Sequence, residues 1–381
     1  MKPDNLCFAA GRPLGPLYGL IMHIRRRLYK AGGLRSYAVP VPVISVGNLV
    51  LGGAGKTPLV ECIVKWGLEA GLAPCILTRG YGGSAGKGPK TLLHGGRLLM
   101  GPCEAGDEPY MLAQRLLLWC ERHPTSRQPL IIVGADRVEG AKHAVQLGSD
   151  LMVLDDGFQH LRLKRDLDIL LFPYHIDLDR MKVFPAGTLR EPLSASRDAD
   201  LVVVTKTPSS VNHERMKAFS RVSGGKRVIT AGYRPKALCS PADTPWKSLD
   251  LLRNRRTLAF CGIGDPWSFR DTIEGLGADL VGFVAFRDHY KYTKSDLHRL
   301  NRLFVEKKAD ILLTTEKDMV RLMPILDQGQ GSALNGMRSF LFALTIEIDV
   351  EGDFFQILND FMEKQETEKR GEGRGNSREL V

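Results

Sequence analysis

Residues 43–60 read VISVGNLVLGGAGKTPLV. A short apolar run gives way to a glycine-rich turn, then to Lys-Thr-Pro and an apolar segment with helical spacing. A strand, a loop able to bring backbone N–H groups close to an anion, and a helix starting at that loop form the layout of a phosphate-binding loop. The loop residues are Gly52, Gly53, Ala54, Gly55, Lys56, Thr57 and Pro58. The glycines give the backbone freedom, Lys56 suits the outer phosphates, and the Thr57 hydroxyl suits Mg2+. Pro58 fits a first helical turn, where a missing N–H costs nothing. The pattern departs from GxxxxGK[ST] at its first position, which is Val50. The bland alternative is an ordinary glycine-rich turn.

Such a loop belongs in an open α/β sheet, and the text that follows alternates accordingly. Apolar strand candidates fall at 41–46, 73–78, 129–134, 150–156, 167–172 and 200–206, with helix candidates at 57–70, 108–123 and 138–148. Near-continuous apolar strands separated by helices predict a mainly parallel sheet covered on both faces. A polar stretch at 207–228 precedes a second set of strands at 227–233, 256–264, 278–286, 309–318 and 338–348, with helices near 266–275, 294–307 and 353–364. The expected fold class is therefore α/β: a P-loop NTPase-like, mainly parallel sheet with flanking helices, plus a smaller second α/β domain. The boundaries read as 1–35 for a basic amphipathic helix, 36–225 for the P-loop domain, 226–350 for the smaller domain, 351–365 for a C-terminal helix, and 366–381 for a polar, glycine-containing tail expected to be disordered.

The strand 150–156 ends in Asp155-Asp156, followed by Gly157 and then His160 and Arg162. A carboxylate at the end of a strand beside a phosphate loop is the usual partner of its Mg2+. A charged surface loop is the competing reading. Asp107 and Glu108 stand at a helix start, where acids also serve as plain caps. Arg79, Arg137, Arg190 with Glu191, and Asp288 with His289 each follow a predicted strand or a Pro/Gly loop, at the edge where an open α/β sheet binds ligands.

Charge is unevenly distributed. Of the formal net charge of +10, seven basic residues against one acid lie within residues 1–40, so a basic arm sits on a nearly balanced body. Within it, Leu14, Leu17, Tyr18, Ile21, Ile24 and Leu28 recur at helical spacing beside Arg25, Arg26, Arg27 and Lys30. Two readings stay open: a helix lying in an anionic membrane interface, or a terminal helix packed on the body with a solvated basic face. No run of about 18 apolar residues predicts a transmembrane span, and the N-terminus does not read as a secretory signal. The seven cysteines show no zinc spacing and are expected to be reduced residues of a cytosolic protein.

Taken together, VGNLVLGGAGKTP, TRGYGG, EAGDEP, GADR, LDDGFQHLRLKRDLD, PAGTLREPL, FCGIGDP, DHYKYT and TTEKD resemble the tetraacyldisaccharide 4'-kinase family, the lipid A kinases of Gram-negative bacteria, from about residue 10 to about residue 350. The resemblance implies transfer of the γ-phosphate of ATP, with Mg2+, to the 4'-hydroxyl of a tetraacylated glucosamine disaccharide 1-phosphate, giving lipid IV-A. It implies Asp107 as general base assisted by His289, and Lys56 and Thr57 in phosphate-loop roles. It also places Thr57, Asp155, Asp156 and Glu191 around the metal, with Arg79, Arg137, His160 and Arg190 as substrate or phosphate contacts. The roles of Arg79 and Lys317 stay open. The expected location is the cytoplasmic face of the inner membrane, held peripherally by the N-terminal helix, with no nucleic acid and no obligate protein partner.

Other classes lack their signatures. A GTPase needs Asn-Lys-x-Asp on a later strand, and neither TKTP at 205–208 nor TEKD at 315–318 supplies it. The aromatics of the basic arm, Tyr18, Tyr29 and Tyr37, are too few and too helix-phased for base stacking. A nucleotide-binding adaptor without turnover is separated from a kinase by Mg2+-dependent activity.

Overall fold

The computed structural model describes residues 12–84, 86, 88–208, 210–241, 246–328 and 336–375, with 369–375 as backbone. Thirteen strands form one sheet. The first half of the chain supplies β1 (Val43–Asn48), α2 (Lys56–Glu69), β2 (Pro74–Thr78), a hairpin β3 (Lys90–His94) and β4 (Arg97–Leu98), α3 (Pro102–Ala105), α4 (Asp107–Arg122), β5 (Leu130–Val133), α5 (Arg137–Gln146), β6 (Leu151–Asp155), β7 (Leu167–Pro173) and β8 (Leu201–Thr205). The second half supplies α6 (His213–Val222), β9 (Arg227–Cys239), β10 (Arg256–Cys261), α7 (Pro266–Gly275), β11 (Asp279–Ala285), α8 (Lys294–Glu306), β12 (Ile311–Thr315), α9 (Glu316–Asp327), β13 (Leu341–Val350) and α10 (Asp353–Gly375). The spatial order is β11-β10-β12-β13-β9-β8-β7-β1-β6-β2-β5-β3-β4. Pairings are parallel except β9–β13, β3–β5 and β3–β4.

The apolar runs read as they do because both faces of the sheet are covered. Along β7, Ile169 and Leu171 join one core with α2 and α4, while Leu170 and Phe172 join another under Phe158, Leu189 and Phe219. The strands of the second half alternate likewise: Leu258 and Phe260 face one cluster, Ala259 and Cys261 the other. The last helix returns to the first half. Phe354, Leu358 and Phe361 pack beside Val60 and Ile63, and the Trp66 indole N–H donates to Asn359 Oδ1 at 2.9 Å.

Three local features depart from the sequence-based expectations. The apolar run at 309–318 is two elements: β12 ends at Thr315, whose hydroxyl caps α9 by accepting from the Asp318 N–H at 3.2 Å. The β3–β4 hairpin was not foreseen. Helix α10 continues through Gly375, past the 365/366 boundary, while residues 376–381 of the expected tail lie outside the described residues.

The N-terminal helix, α1 (Gly15–Lys30), lies on the body with its apolar residues outward, as the interface reading expects and the packed-helix reading does not. Gly15, Gly19 and Arg26 are its buried positions, whereas Leu14, Leu17, Leu20, Ile21, Ile24 and Leu28 are exposed. Arg26, expected on a solvated face, is drawn inward by partners. Its guanidinium meets Glu191 at 2.8 Å and Asp198 at 3.2 Å, donates to the Phe158 carbonyl, and lies 4.6 Å from the Phe158 ring centroid. A Cβ at Gly15 would fall 2.7 Å from that of Ala186, so the close approach requires glycine there. No helix among the described residues is long and apolar enough to cross a membrane.

Candidate active site

A cavity of about 1060 Å3 opens at the carboxyl ends of the central strands, between the phosphate loop and the loops of the second half. Its floor is the turn from β1 into α2. Gly55 adopts φ +79° at the helix N-cap, so Lys56 and Thr57 begin the helix with N–H groups unpaired within it. The loop is braced from behind. Thr205 at the end of β8 donates its hydroxyl to the Ala54 carbonyl at 2.8 Å, and Tyr233 of β9 donates to the Gly55 carbonyl at 3.1 Å. Lys56 Nζ donates to Asn48 Oδ1 at 3.1 Å and stands 3.3 Å from Asp156 Oδ1.

The two acids after β6 differ in their surroundings. Asp155 accepts from the Thr78 hydroxyl at 3.0 Å, and burial pushes its carboxyl up to about 6 against the pull of Lys56. Burial also opposes ionisation of Asp156, but Lys56 and Arg190 outweigh it and hold that carboxyl below its ordinary value. Arg190 Nη1 donates to Asp156 Oδ2 at 2.7 Å, while the buried Oδ1 has no hydrogen-bond partner. Gly157 lets the chain turn tightly here: a Cβ would fall 2.7 Å from Ser45 Oγ and from Leu154 Cβ.

Asp107 begins α4 after Gly106, which adopts φ +91° against the Tyr81 carbonyl. Its Oδ2 accepts from Arg321 Nε at 2.7 Å and from Arg321 Nη2. His289 reaches the same point from the second half, its Nδ1 lying 3.6 Å from Asp107 Oδ2 and 3.2 Å from Arg321 Nη2. Arginine can only donate, so Nδ1 is the acceptor and the ring carries its proton on Nε2. His289 sits at φ +56°, a conformation uncommon outside glycine and typical of side chains held for a task. Beside this cluster, Lys317 pairs with Glu108.

The cavity brings together Gly52, Gly53, Ala54, Gly55, Lys56, Thr57, Asp107, Asp155, Asp156, Arg190 and His289. Pro58 lies one step inside α2, behind the loop. Glu191, expected near the metal, turns away from the cavity: 1% exposed, it faces Arg26, with Oε1 buried and unpartnered. Arg79 is exposed and bonded to the Tyr81 hydroxyl at 2.9 Å. Arg137 is buried and donates to the Gly134 carbonyl. His160 has a buried Nε2 without a partner, and burial, with Arg137 and Arg162 nearby, pushes its ring down to about 4, so it is neutral at neutral pH. Sequence reasoning missed Arg321, Thr205 and Tyr233, because each reaches the loop or Asp107 from a distant part of the chain. Only the Thr315 cap with acids at Glu316 and Asp318 signalled that a helix begins there.

Among the described residues no group of three or more His, Cys, Asp or Glu side chains is arranged to hold a metal. A hard cation on a phosphate loop takes a mixed oxygen set instead. The Thr57 hydroxyl with Asp155 and Asp156 fits one: three oxygen-bearing side chains line the same cavity, the buried Asp156 Oδ1 makes no hydrogen bond and has Lys56 Nζ 3.3 Å away, and the carboxyl of Asp155, raised to about 6, is ionised at neutral pH.

Comparison with known proteins agrees over nearly the whole chain. Residues 8–363 match the family model described as tetraacyldisaccharide-1-P 4'-kinase, LpxK. A protein named tetraacyldisaccharide 4'-kinase from Desulfotalea psychrophila is 36% identical over 325 residues, covering 84% of this chain and 90% of that one. Another of the same name from Desulfatibacillum aliphaticivorans is 33% identical over 375 residues, covering 95% of each. The fold matches a crystal structure of LpxK from Aquifex aeolicus in complex with ATP, with a TM-score of 0.72 and 32% identity over 94% of this chain and 99% of that one.

Proposed function

The chain belongs to the tetraacyldisaccharide-1-P 4'-kinase family, and from that premise we propose how its residues carry the reaction and where in the cell it takes place. The activity is transfer of the γ-phosphate of ATP to the 4'-hydroxyl of a tetraacylated glucosamine disaccharide 1-phosphate, a late step of lipid A biosynthesis that gives lipid IV-A.

The observation that carries the site assignment is the meeting of Asp107 and His289 across one cavity from Lys56, Asp155 and Asp156. The phosphate-loop N–H groups and Lys56 bind and align the ATP phosphates. Asp107 accepts the proton of the sugar hydroxyl as its oxygen bonds the γ-phosphorus and the bond to the β-phosphate oxygen breaks, releasing ADP. Little covalent work is asked of the protein, because phosphoryl transfer is dominated by alignment and charge neutralisation. His289 steadies the proton beside Asp107. Thr57, Asp155 and Asp156 would hold Mg2+, which when bound neutralises phosphate charge; Arg190 holds Asp156 toward that position. The contacts of Glu191 favour a role in seating α1 rather than one at the metal.

Attachment is peripheral, to the cytoplasmic face of the inner membrane. What supports this is α1: its body-facing side is made of Gly15, Gly19 and Arg26, and its leucines and isoleucines face outward beside the exposed Arg27 and Lys30, the latter paired with Asp198, while Arg25 donates to the Gln159 carbonyl at 3.2 Å. An apolar face bordered by cations suits an anionic bilayer surface, which is where an acylated acceptor resides.

The test is a kinase assay with Mg-ATP and tetraacyl-disaccharide 1-phosphate in detergent micelles, read by mass spectrometry for one added phosphate on the distal sugar. Asp107→Asn is expected to lower kcat by about 100-fold or more with ATP binding intact. Activity of that variant within about threefold of the unmodified protein rules out Asp107 as the base. ATP hydrolysis without lipid product rules out the acceptor.

A further inference from the structure

We infer that Arg321 is a positioning residue for the phosphotransfer, holding Asp107 and His289 in register with each other. This rests on the reading of Asp107 as base. Beyond the TTEKD run nothing in the sequence signalled helix α9, and Arg321 lies on it three residues past that run, outside it; its guanidinium is the hub of the cluster.

Each nitrogen has an assigned partner. Nε and Nη2 donate to Asp107 Oδ2, Nη2 also faces His289 Nδ1, and Nη1 donates to the Gly262 carbonyl and to Asp318 Oδ1, both at 2.9 Å. The side chain is only 10% exposed although it lines an open cavity. It is also aimed from behind. Asp318 is fully buried and accepts two further hydrogen bonds on Oδ2, from the Gly262 N–H at 2.9 Å and from the Thr315 hydroxyl at 2.7 Å, while its own N–H donates back to the Thr315 hydroxyl at 3.2 Å. A Cβ at Gly262 would lie 3.1 Å from both Asp318 Oδ1 and the Tyr292 hydroxyl, so this support is tightly packed. A solvent-exposed ion pair needs no such scaffold.

Two physical consequences follow. First, Asp107 shares its cavity with Lys56 and the phosphate loop, where the negative charge of ATP gathers. A carboxylate there is repelled unless a fixed cation offsets the repulsion. Arg321 supplies that cation, with Nε and Nη2 on Asp107 Oδ2. Second, the contacts described to Asp107 all fall on Oδ2, which leaves Oδ1 for the acceptor hydroxyl. Two N–H donors converging on Oδ2 hold that oxygen against Arg321, and none of the described contacts engages Oδ1.

The experiment is a double-mutant cycle on the full chain with Mg-ATP and tetraacyl-disaccharide 1-phosphate in micelles. The variants are Arg321→Gln, Arg321→Lys, Asp107→Asn, and Asp107→Asn with Arg321→Gln, each checked for an unchanged melting temperature. Arg321→Gln is expected to lower kcat at least about tenfold while KM for ATP stays within about threefold, and Arg321→Lys to recover part of the loss. In the Asp107→Asn background, adding Arg321→Gln is expected to change the rate by less than about twofold, because its effect passes through Asp107. Full multiplicative losses overturn the inference, as does a raised KM for ATP with kcat unchanged. If Arg321→Gln fails to fold, the same cycle with Arg321→Lys decides. Lipid product from the unmodified protein with multiplicative losses sinks the positioning role alone; no lipid product from the unmodified protein sinks the kinase reading and this inference with it.

Discussion

At the scale of single residues, the site is governed by close approach and burial. Gly55 combines φ +79° with a Cβ position that would fall 1.4 Å from the Tyr233 hydroxyl. Gly55→Ala therefore strains the backbone and displaces the brace together, and nucleotide affinity measured calorimetrically is expected to fall more than about tenfold. His160 gives a pH prediction. Its folded ring is pushed down to about 4, whereas the unfolded chain takes up that proton near the ordinary value of 6.5. Between those values the unfolded state binds more protons, so the contribution is present above about 6.5 and is lost as pH falls toward 4. His160→Asn is expected to flatten the fall of melting temperature over that window; an unchanged slope would count against the burial account. Asp155, Asp156 and the loop were legible in the sequence because the chemistry and the strand end coincide within a few residues. Arg321 and Tyr233 were not, since their meaning depends on a fold that brings residues more than a hundred positions apart into one cavity. Glu191 shows the converse: the same short motif places one charged side chain at the cavity and its neighbour in a buried ion pair with Arg26.

At the scale of elements, periodicity was a sound guide to type and a poor one to orientation. The spacing of α1 announced a helix with one apolar face. It could not say which face meets the body, because that choice depends on Glu191 and Asp198, supplied some 165 and 172 residues later. The outward apolar face makes a prediction. Replacing Leu17, Leu20 and Ile24 together with Glu is expected to leave the melting temperature nearly unchanged, since these side chains are exposed, and to abolish sedimentation with anionic vesicles. Sedimentation equal to that of the unmodified protein would assign attachment to another surface. Helix α9 was hidden for a different reason: β12 runs into it without a loop, so a strand-like segment and a helix start read as one run.

At the scale of the whole molecule, α10 ties the second half of the chain to the first. Its apolar residues Phe354, Leu358 and Phe361 lie in the core of the first half, all before residue 365. Ending the chain after Gln365 is expected to leave stability and activity intact. Ending it before Phe354 removes three buried side chains worth about 1.5–3 kcal/mol each, and cooperative unfolding should shift to markedly lower temperature; circular dichroism melts of the two truncations decide.

The sheet itself passes through the middle of the molecule unbroken. β9 is bonded to β8 along one edge and to β13 along the other, with partners from Cys239–Ala343 to Ala231–Val350. Through these ladders the strands that lead into the phosphate loop and those that precede His289 and Arg321 belong to one hydrogen-bonded sheet. Among the described residues its register shifts at three places, between Thr91 and Leu93, between Thr257 and Leu258, and between Thr345 and Ile346, and the Ile346 carbonyl at the last of these is gripped by Arg115 Nη2 at 2.7 Å. Arg115 also holds Glu316, the first residue of the helix that carries Arg321. One side chain, Arg115, thus joins the irregular pairing of β13 with β9 to the first turn of the helix that carries the guanidinium facing Asp107.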